Sequence, residues 1–345
     1  MTQATTSIET PRRGWGRRLV GKTTRPLRQA AWDWMTILRY GRPRLVLVYG
    51  EGYGDHLLCT AVLRELRRRG HRRLWMMSNH RGLFRHNRDV DAVVPYSWRY
   101  PDFVQRWGGR SCMPVYGDIN TVEDRSTPPD RHLITKMCQH FDMHGPIDLR
   151  PYMCLDPHEK MRGRVAPRQI AIQSSILAAA LPIRNKEWIP QRFNDVVKKL
   201  GGRFTFVQVG AASDPPVAGA IDLRGKTSVR ETAAILSQSL VFVGLVGFLM
   251  HLARAVVCRA VIVYGGREAP ALSGYSCNAN LYTAMPCSPC WYWSRCAFDR
   301  RCMSAIEAGQ VAEAARQQVE KFGQPLELDQ DDPSAPGPLI KHVHG

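Results

Sequence analysis

The chain has 345 residues, 44% of them hydrophobic, and a formal net charge of +18. That length suits two domains better than one core, and no apolar run approaches the roughly 20 residues that span a membrane. The charge implies an anionic partner, whether a nucleotide, a nucleic acid or an anionic membrane surface, and does not choose among them.

Residues 1–42 form a basic arm. Arg12, Arg13, Arg17, Arg18, Arg25, Arg28, Arg39 and Arg42 are interleaved with Trp15, Trp32, Trp34, Ile37 and Leu38. Two readings stay open: a disordered arm, or a segment lying in the interface of an anionic membrane. The charges are not followed by the uninterrupted apolar stretch of a secretory leader, so the sequence reads as cytoplasmic. The stretch "GRRLVGKT" at 16–23 matches the phosphate-loop pattern G-x-x-x-x-G-K-[ST]. That loop works only between a buried strand and a helix, and the preceding "IETPRRGW" has no strand character, so the match is set aside.

The first domain, 43–157, opens on a strand, a loop and a helix. Leu45, Val46, Leu47 and Val48 make the continuous apolar run of a strand buried on both faces of a parallel sheet. Leu58, Ala61, Val62 and Leu66 recur at three and four residues, so "DHLLCTAVLRELRRRG" reads as an amphipathic helix stopped by Gly70. Glycine loops ahead of helices commonly cradle phosphate. Here Gly50, Gly52 and Gly54 lack the G-x-G-x-x-G spacing, and Asp55 at the helix start repels a phosphate. Asp55 is either a helix cap or a carboxylate placed to take a proton. Further on, "RLWMMS", "DAVVPY" and "SCMPVYG" read as strands and "DRHLITKMCQHFDMHG" as a helix. Asp89 and Asp91 form an Asp-x-Asp pair of the kind that can bind a metal, but they stand where turn residues belong.

The polar, proline-broken "LDPHEKMRGRVAPRQ" at 155–169 reads as a linker, and across 158–322 the alternation restarts. The strands are "IAIQSS", "FTFVQVG", "IDLRGKTS", "LVFVG" and "RAVIVYGG"; the helices are "EWIPQRFNDVVKKLGG", "VRETAAILSQS" and "FLMHLARAV". Ser228 and Glu231 have capping-box spacing. Two alternating halves imply an α/β protein of two doubly wound domains, whose ligands sit at the carboxyl ends of the strands. The proline- and acid-rich tail, 323–345, reads as disordered.

"GYGDHLL", "NKEWIP", "DLRGKTSVRETAAIL", "VGFLMHLARAV" and "CSPCWYWSRCAFDRRCM" occur in that order. With this set the chain resembles glycosyltransferase family nine, the lipopolysaccharide heptosyltransferases, from about residue 44 to about residue 320. The resemblance implies the GT-B fold, two Rossmann-like domains facing across a cleft. It implies inverting, metal-independent transfer of a sugar, such as a heptose, from a nucleotide diphospho-sugar to a saccharide or glycolipid, with no cofactor required. A cytoplasmic enzyme, peripheral on the inner face of the cytoplasmic membrane and with no nucleic acid partner, is expected.

Within that resemblance Asp55 falls at the general base, and Gly52 and Gly54 lie in a loop open to the acceptor. His56 beside it either tunes that base or is a surface residue, and the second reading is favoured. On the donor side Lys186 falls at a lysine that contacts the diphosphate, and Ser174 and Ser175 at positions facing the phosphates. Gly210, Lys226 and Thr227 fall at walls around base and ribose, and Gly247 and His251 on a helix whose N-terminus receives phosphate; His251, alone on an apolar helix, reads equally as a satisfied core residue. Family members usually carry an acid where this chain has Val246. That departure implies an altered donor, or a catalytically inactive binding or assembly protein that keeps the fold.

Cys287, Cys290, Cys296 and Cys302 have the spacing C-x2-C-x5-C-x5-C. Four thiolates so close can hold a structural zinc or iron ion. Free thiols packing a loop, and redox or disulfide roles, stay open beside it.

Overall fold

The structure, a computed structural model, describes residues 16–322, with the backbone alone for 16–26; the expected disordered tail lies outside the described residues. Two parallel sheets carry the core. The first has four strands, in the spatial order Ala92–Val94, Leu74–Ser78, Leu45–Tyr49, Arg110–Cys112. The second has six, in the order Ala220–Asp222, Thr205–Gln208, Gln169–Ile172, Phe242–Leu245, Ala260–Gly265, Ala279–Tyr282. Runs such as Leu45–Tyr49 and Ala260–Gly265 are buried almost throughout, as expected where helices cover both faces.

In each sheet the chain winds outward from a central strand and then restarts on that strand's other side, the doubly wound order. Each sheet therefore has one point where the order reverses. In the first it lies between Leu45–Tyr49 and Arg110–Cys112, and in the second between Gln169–Ile172 and Phe242–Leu245. The α/β class and parallel sheets read from the sequence are present.

Several segments depart from the sequence reading. The strand expected over "SCMPVYG" is confined to Arg110–Cys112, after which the chain leaves the sheet; Pro114 has no N–H for a ladder, and its carbonyl accepts the Tyr49 hydroxyl at 2.5 Å. The stretch read as a linker contains the helix Pro157–Arg162, started by a capping box between Asp156 and Glu159. The helix Ala308–Phe322 packs on Pro190–Leu200 through Val311, Ala312 and Ala315. Its small alanines make a weak periodic signal. The capping box at Ser228 and Glu231 is formed.

The basic arm is in part the helix Gly16–Tyr40, and the literal phosphate-loop match lies inside it. Its Trp32, Ile37 and Tyr40 pack on a cluster that includes Trp75, Tyr100 and Phe103. Asp33 is buried and accepts from Arg106 at 2.9 and 3.1 Å and from the Trp107 indole at 3.1 Å.

The halves are joined by continuous packing. The helix Tyr53–Arg68 lies against Phe248–Ala255, and one apolar cluster takes in Leu57 and Leu58 together with Met250 and Tyr275. Arg230 ties the same junction, donating to Glu159 at 2.5 and 2.6 Å, to the Cys154 carbonyl at 2.6 Å and to the Gly82 carbonyl at 2.9 Å. Among the described residues no helix is long and apolar enough to cross a membrane.

Candidate active site

The loops that meet at this junction leave the two reversal points. Asp55 follows the strand Leu45–Tyr49 and stands in the first turn of Tyr53–Arg68. Gly52 caps that helix with φ +83°, and a Cβ there would stand 2.9 Å from Asp55 Oδ2. Only glycine suits the position, on both backbone and space. Gly54 faces open space. The Tyr116 hydroxyl, from the loop after Arg110–Cys112, donates to Asp55 Oδ1 at 3.0 Å.

Asp55 is surrounded by protein yet keeps part of its surface open. Burial pushes its pKa up to about 6, against the Tyr116 hydrogen bond and the positive charge of Lys186, both of which pull it down. A carboxylate so tuned is a competent proton acceptor near neutral pH. His56 corrects the expectation of a surface residue. It is fully buried, its Nδ1 lies 2.7 Å from the Gly52 carbonyl and its Nε2 3.0 Å from that of Tyr49. Its ring fixes the loop that presents Asp55.

From the second half, Lys186 ends a short turn, Arg184–Lys186. Its Nζ lies 2.5 Å from Glu268 Oε1; the glutamate is buried and the lysine largely so. Burial pulls the Lys186 pKa down while Glu268 holds it up. Burial likewise pushes Glu268 up, but the charges of Lys186 and Arg267 outweigh it and keep the carboxyl below its ordinary range. The Tyr116 hydroxyl feels first the charge of Asp55, then burial, and also that of Glu268. One electrostatic neighbourhood thus holds Asp55 and Tyr116 from the first half and Lys186, Arg267 and Glu268 from the second.

The other expected donor residues are placed less uniformly. Ser174 is fully buried, donating to the Pro215 carbonyl at 2.5 Å and accepting from Gln208 at 3.0 Å, so its hydroxyl is engaged by the scaffold. Ser175 accepts from Leu177 N, and Glu187 accepts from Ile176 N at 2.7 Å, folding the loop over itself. Gly247 precedes Phe248–Ala255, and a Cβ on it would approach Ile176 Cγ2 to 3.3 Å. His251 on that helix has its Nδ1 2.6 Å from the Tyr275 hydroxyl. Burial drives its pKa down to about 3, so the imidazole is neutral. Gly210 has φ +134°, and a Cβ there would meet the Asp214 carboxylate.

Lys226 is exposed and donates to the Asp222 carbonyl at 2.8 Å. Thr227 shares a 2.8 Å hydrogen bond with Thr232 and lines a cavity of about 340 Å³ with Arg162, Arg230 and Glu231. Asp89 accepts from the Tyr152 hydroxyl, and Asp91 from Leu74 N and Arg67 at 2.7 and 2.8 Å. That pair holds a turn together.

Val246 is buried in the apolar cluster. Sequence reasoning missed Glu268, whose carboxylate pairs with Lys186, along with Tyr116 and Arg267. A signal existed: "GGRE" places two charges just past the buried strand Ala260–Gly265, at a carboxyl edge. Gln173, also missed, leaves the end of Gln169–Ile172 with a buried Oε1 that has no hydrogen-bond partner.

The cysteine-bearing loop, 287–302, braces this site. The Cys290 and Trp291 N–H groups donate to the Gly266 and Arg267 carbonyls. Asn185, next to Lys186, donates its amide to the Tyr292 and Arg295 carbonyls at 3.2 and 2.8 Å. From the first half, Asp124 Oδ2 accepts Ser294 N and Arg295 N, and Trp293 donates to Ser126 Oγ at 2.9 Å. All four cysteines are free thiols. Burial and the neighbouring thiols raise the pKa values of Cys290 and Cys302. Contrary to the expected tetrahedral set, no three of these or other His, Cys, Asp or Glu side chains among the described residues gather closely enough to hold a metal ion.

No family model and no curated protein matches the chain. Solved structures do. ADP-heptose lipopolysaccharide heptosyltransferase II of E. coli is 13% identical, covering 81% of this chain and 99% of its own, with a TM-score of 0.60. A family 9 glycosyltransferase from Veillonella parvula is 15% identical over 81% and 98%, TM-score 0.60. The dodecameric iron-containing heptosyltransferase TibC of enterotoxigenic E. coli, in complex with ADP-D-β-D-heptose, is 16% identical over 81% and 76%, TM-score 0.59. The chain therefore has the α/β fold of these glycosyltransferases.

Proposed function

We propose that the protein is a glycosyltransferase that moves a sugar from a nucleotide diphospho-sugar to a saccharide or glycolipid hydroxyl, with ADP-heptose as the leading donor. One observation carries this reading: Asp55, at the reversal point of the first sheet, lies within electrostatic reach of Lys186, at the edge of the second. The lobes, 43–157 and 158–322, would face each other across a cleft, acceptor on the first and donor on the second. Likeness to heptosyltransferases, one of them solved with ADP-D-β-D-heptose, supports it.

Asp55 takes the proton of the acceptor hydroxyl, and that oxygen attacks the anomeric carbon from the face opposite the diphosphate. The bond from the anomeric carbon to the phosphate oxygen breaks, its electron pair leaves with the diphosphate, and configuration inverts. Lys186 and the N-terminus of Phe248–Ala255 offset the charge that develops on the leaving group, so this route needs no metal in the reaction itself. Glu268 holds Lys186 in place, while Val246 leaves the position before Gly247 without a carboxylate.

The functional reading is tested by offering ADP-heptose and other nucleotide sugars. Release of nucleoside diphosphate by the wild type, with binding but no release by Asp55→Asn, is expected. Absence of calorimetric binding to any donor would overturn it in favour of the inactive alternative.

A further inference from the structure

We propose that the helix Gly16–Tyr40 seats the protein on the surface of an anionic lipid bilayer. The helix has two unlike sides. On one, Asp33 and Thr36 are buried and Trp32 and Ile37 half-buried against the first lobe. On the other stand Leu27, Trp34, Met35 and Leu38, exposed by 73, 57, 61 and 83%. At 3.6 residues per turn these four fall on one stripe. Large apolar side chains grouped in water mark a docking surface.

Charge selects the occupant. Arg28 and Arg39 are exposed along one border of the stripe, and Arg42 and Arg44 follow directly. Asp33 is the one acid between residues 11 and 44, and it is buried against Arg106. The helix therefore offers an apolar stripe flanked on one side by arginines, with no exposed acid among its described side chains. A second copy of the chain would bring like charges face to face. A bilayer with anionic headgroups accepts both features, guanidinium groups at the phosphates and Leu and Trp at the acyl boundary. The helix lies on the membrane, since no described helix is apolar enough to cross one.

The test is co-sedimentation of the full chain with vesicles of phosphatidylcholine, alone or mixed with phosphatidylglycerol, at low and high salt. Binding to the mixed vesicles, weakened by salt and by omission of the anionic lipid, is expected. Leu27→Glu with Leu38→Glu should reduce that binding at least about tenfold with the circular dichroism and melting temperature unchanged, because both side chains face solvent. Three results overturn the proposal: no binding of wild type to mixed vesicles, undiminished binding by the double variant, or light scattering showing a dimer that the double variant splits. Sugar transfer to a soluble acceptor is read separately, so failure here leaves the transfer reading standing.

Discussion

Lys186 Nζ and Glu268 Oε1 lie 2.5 Å apart, the glutamate buried and the lysine largely so, on loops from two different strands of the second sheet. Removing one member of such a pair strands a charge in a low-dielectric site, at a typical cost of about 3–5 kcal/mol, whereas removing both costs far less. Lys186→Met should lower the urea unfolding free energy by about 3 kcal/mol. Adding Glu268→Gln to it should restore about 2 kcal/mol. Strictly additive losses would show that the two charges do not meet in solution.

The same neighbourhood sets a pH dependence. Asp55 must be ionised to accept a proton, and burial has moved its pKa to about 6. The rate of transfer should rise with pH through about 6 and level off above it. The Tyr116 hydrogen bond favours the charged form, so Tyr116→Phe should move this limb upward by about half a unit to one unit. A limb that does not move would separate Tyr116 from the titration of the base.

Asp55 also works against stability. Its folded pKa exceeds the ordinary carboxylate value, so above pH about 4 the unfolded chain releases this proton more readily than the folded one. The resulting penalty grows from about pH 4 to about pH 6 and is complete above that. With partial access to water discounted, it amounts to about 1–2 kcal/mol. Asp55→Asn should therefore unfold at higher urea than wild type at pH 7.5 while losing transfer, and the two midpoints should converge by pH 4. Equal midpoints at both pH values would mean that the carboxylate is well solvated.

How much of this could be read in the sequence follows the range of each interaction. Runs such as "LVLVY" and "AVIVYG" declare buried parallel strands locally, and "SVRE" declares its capping box, so the sheets and most helices were legible. The glycine loop and Asp55 were legible as a unit because strand, turn and helix are contiguous. Glu268 was not, since its meaning depends on Lys186 arriving from a distant turn. His56 was misread for a related reason: its burial depends on the carbonyls of Gly52 and Tyr49 folding back around it. Ser174 shows the converse, a small hydroxyl in the expected place whose partners, Pro215 and Gln208, lie on another segment.

The segment 113–117 leads from the first sheet into a hairpin that reaches the donor side. Beyond Tyr116 the chain forms the hairpin of Ile119–Asn120 and Arg125–Ser126, whose Asp124 caps the cysteine-bearing loop through Ser294 N at 2.9 Å and Arg295 N at 2.6 Å. The Arg295 carbonyl in turn accepts from Asn185, the residue before Lys186. Two bonded steps thus connect a first-lobe carboxylate to the backbone that orients the donor-side lysine. Asp124→Ala removes two hydrogen bonds to a charged acceptor, a loss of about 2 kcal/mol if both strengthen the folded loop. Donor KM should rise about tenfold with kcat changed less, because positioning of Lys186 is loosened while Asp55 is untouched. Hydrogen exchange should quicken at the Ser294 and Arg295 amides. Faster exchange with an unchanged KM would show that the hairpin covers this loop without orienting the lysine.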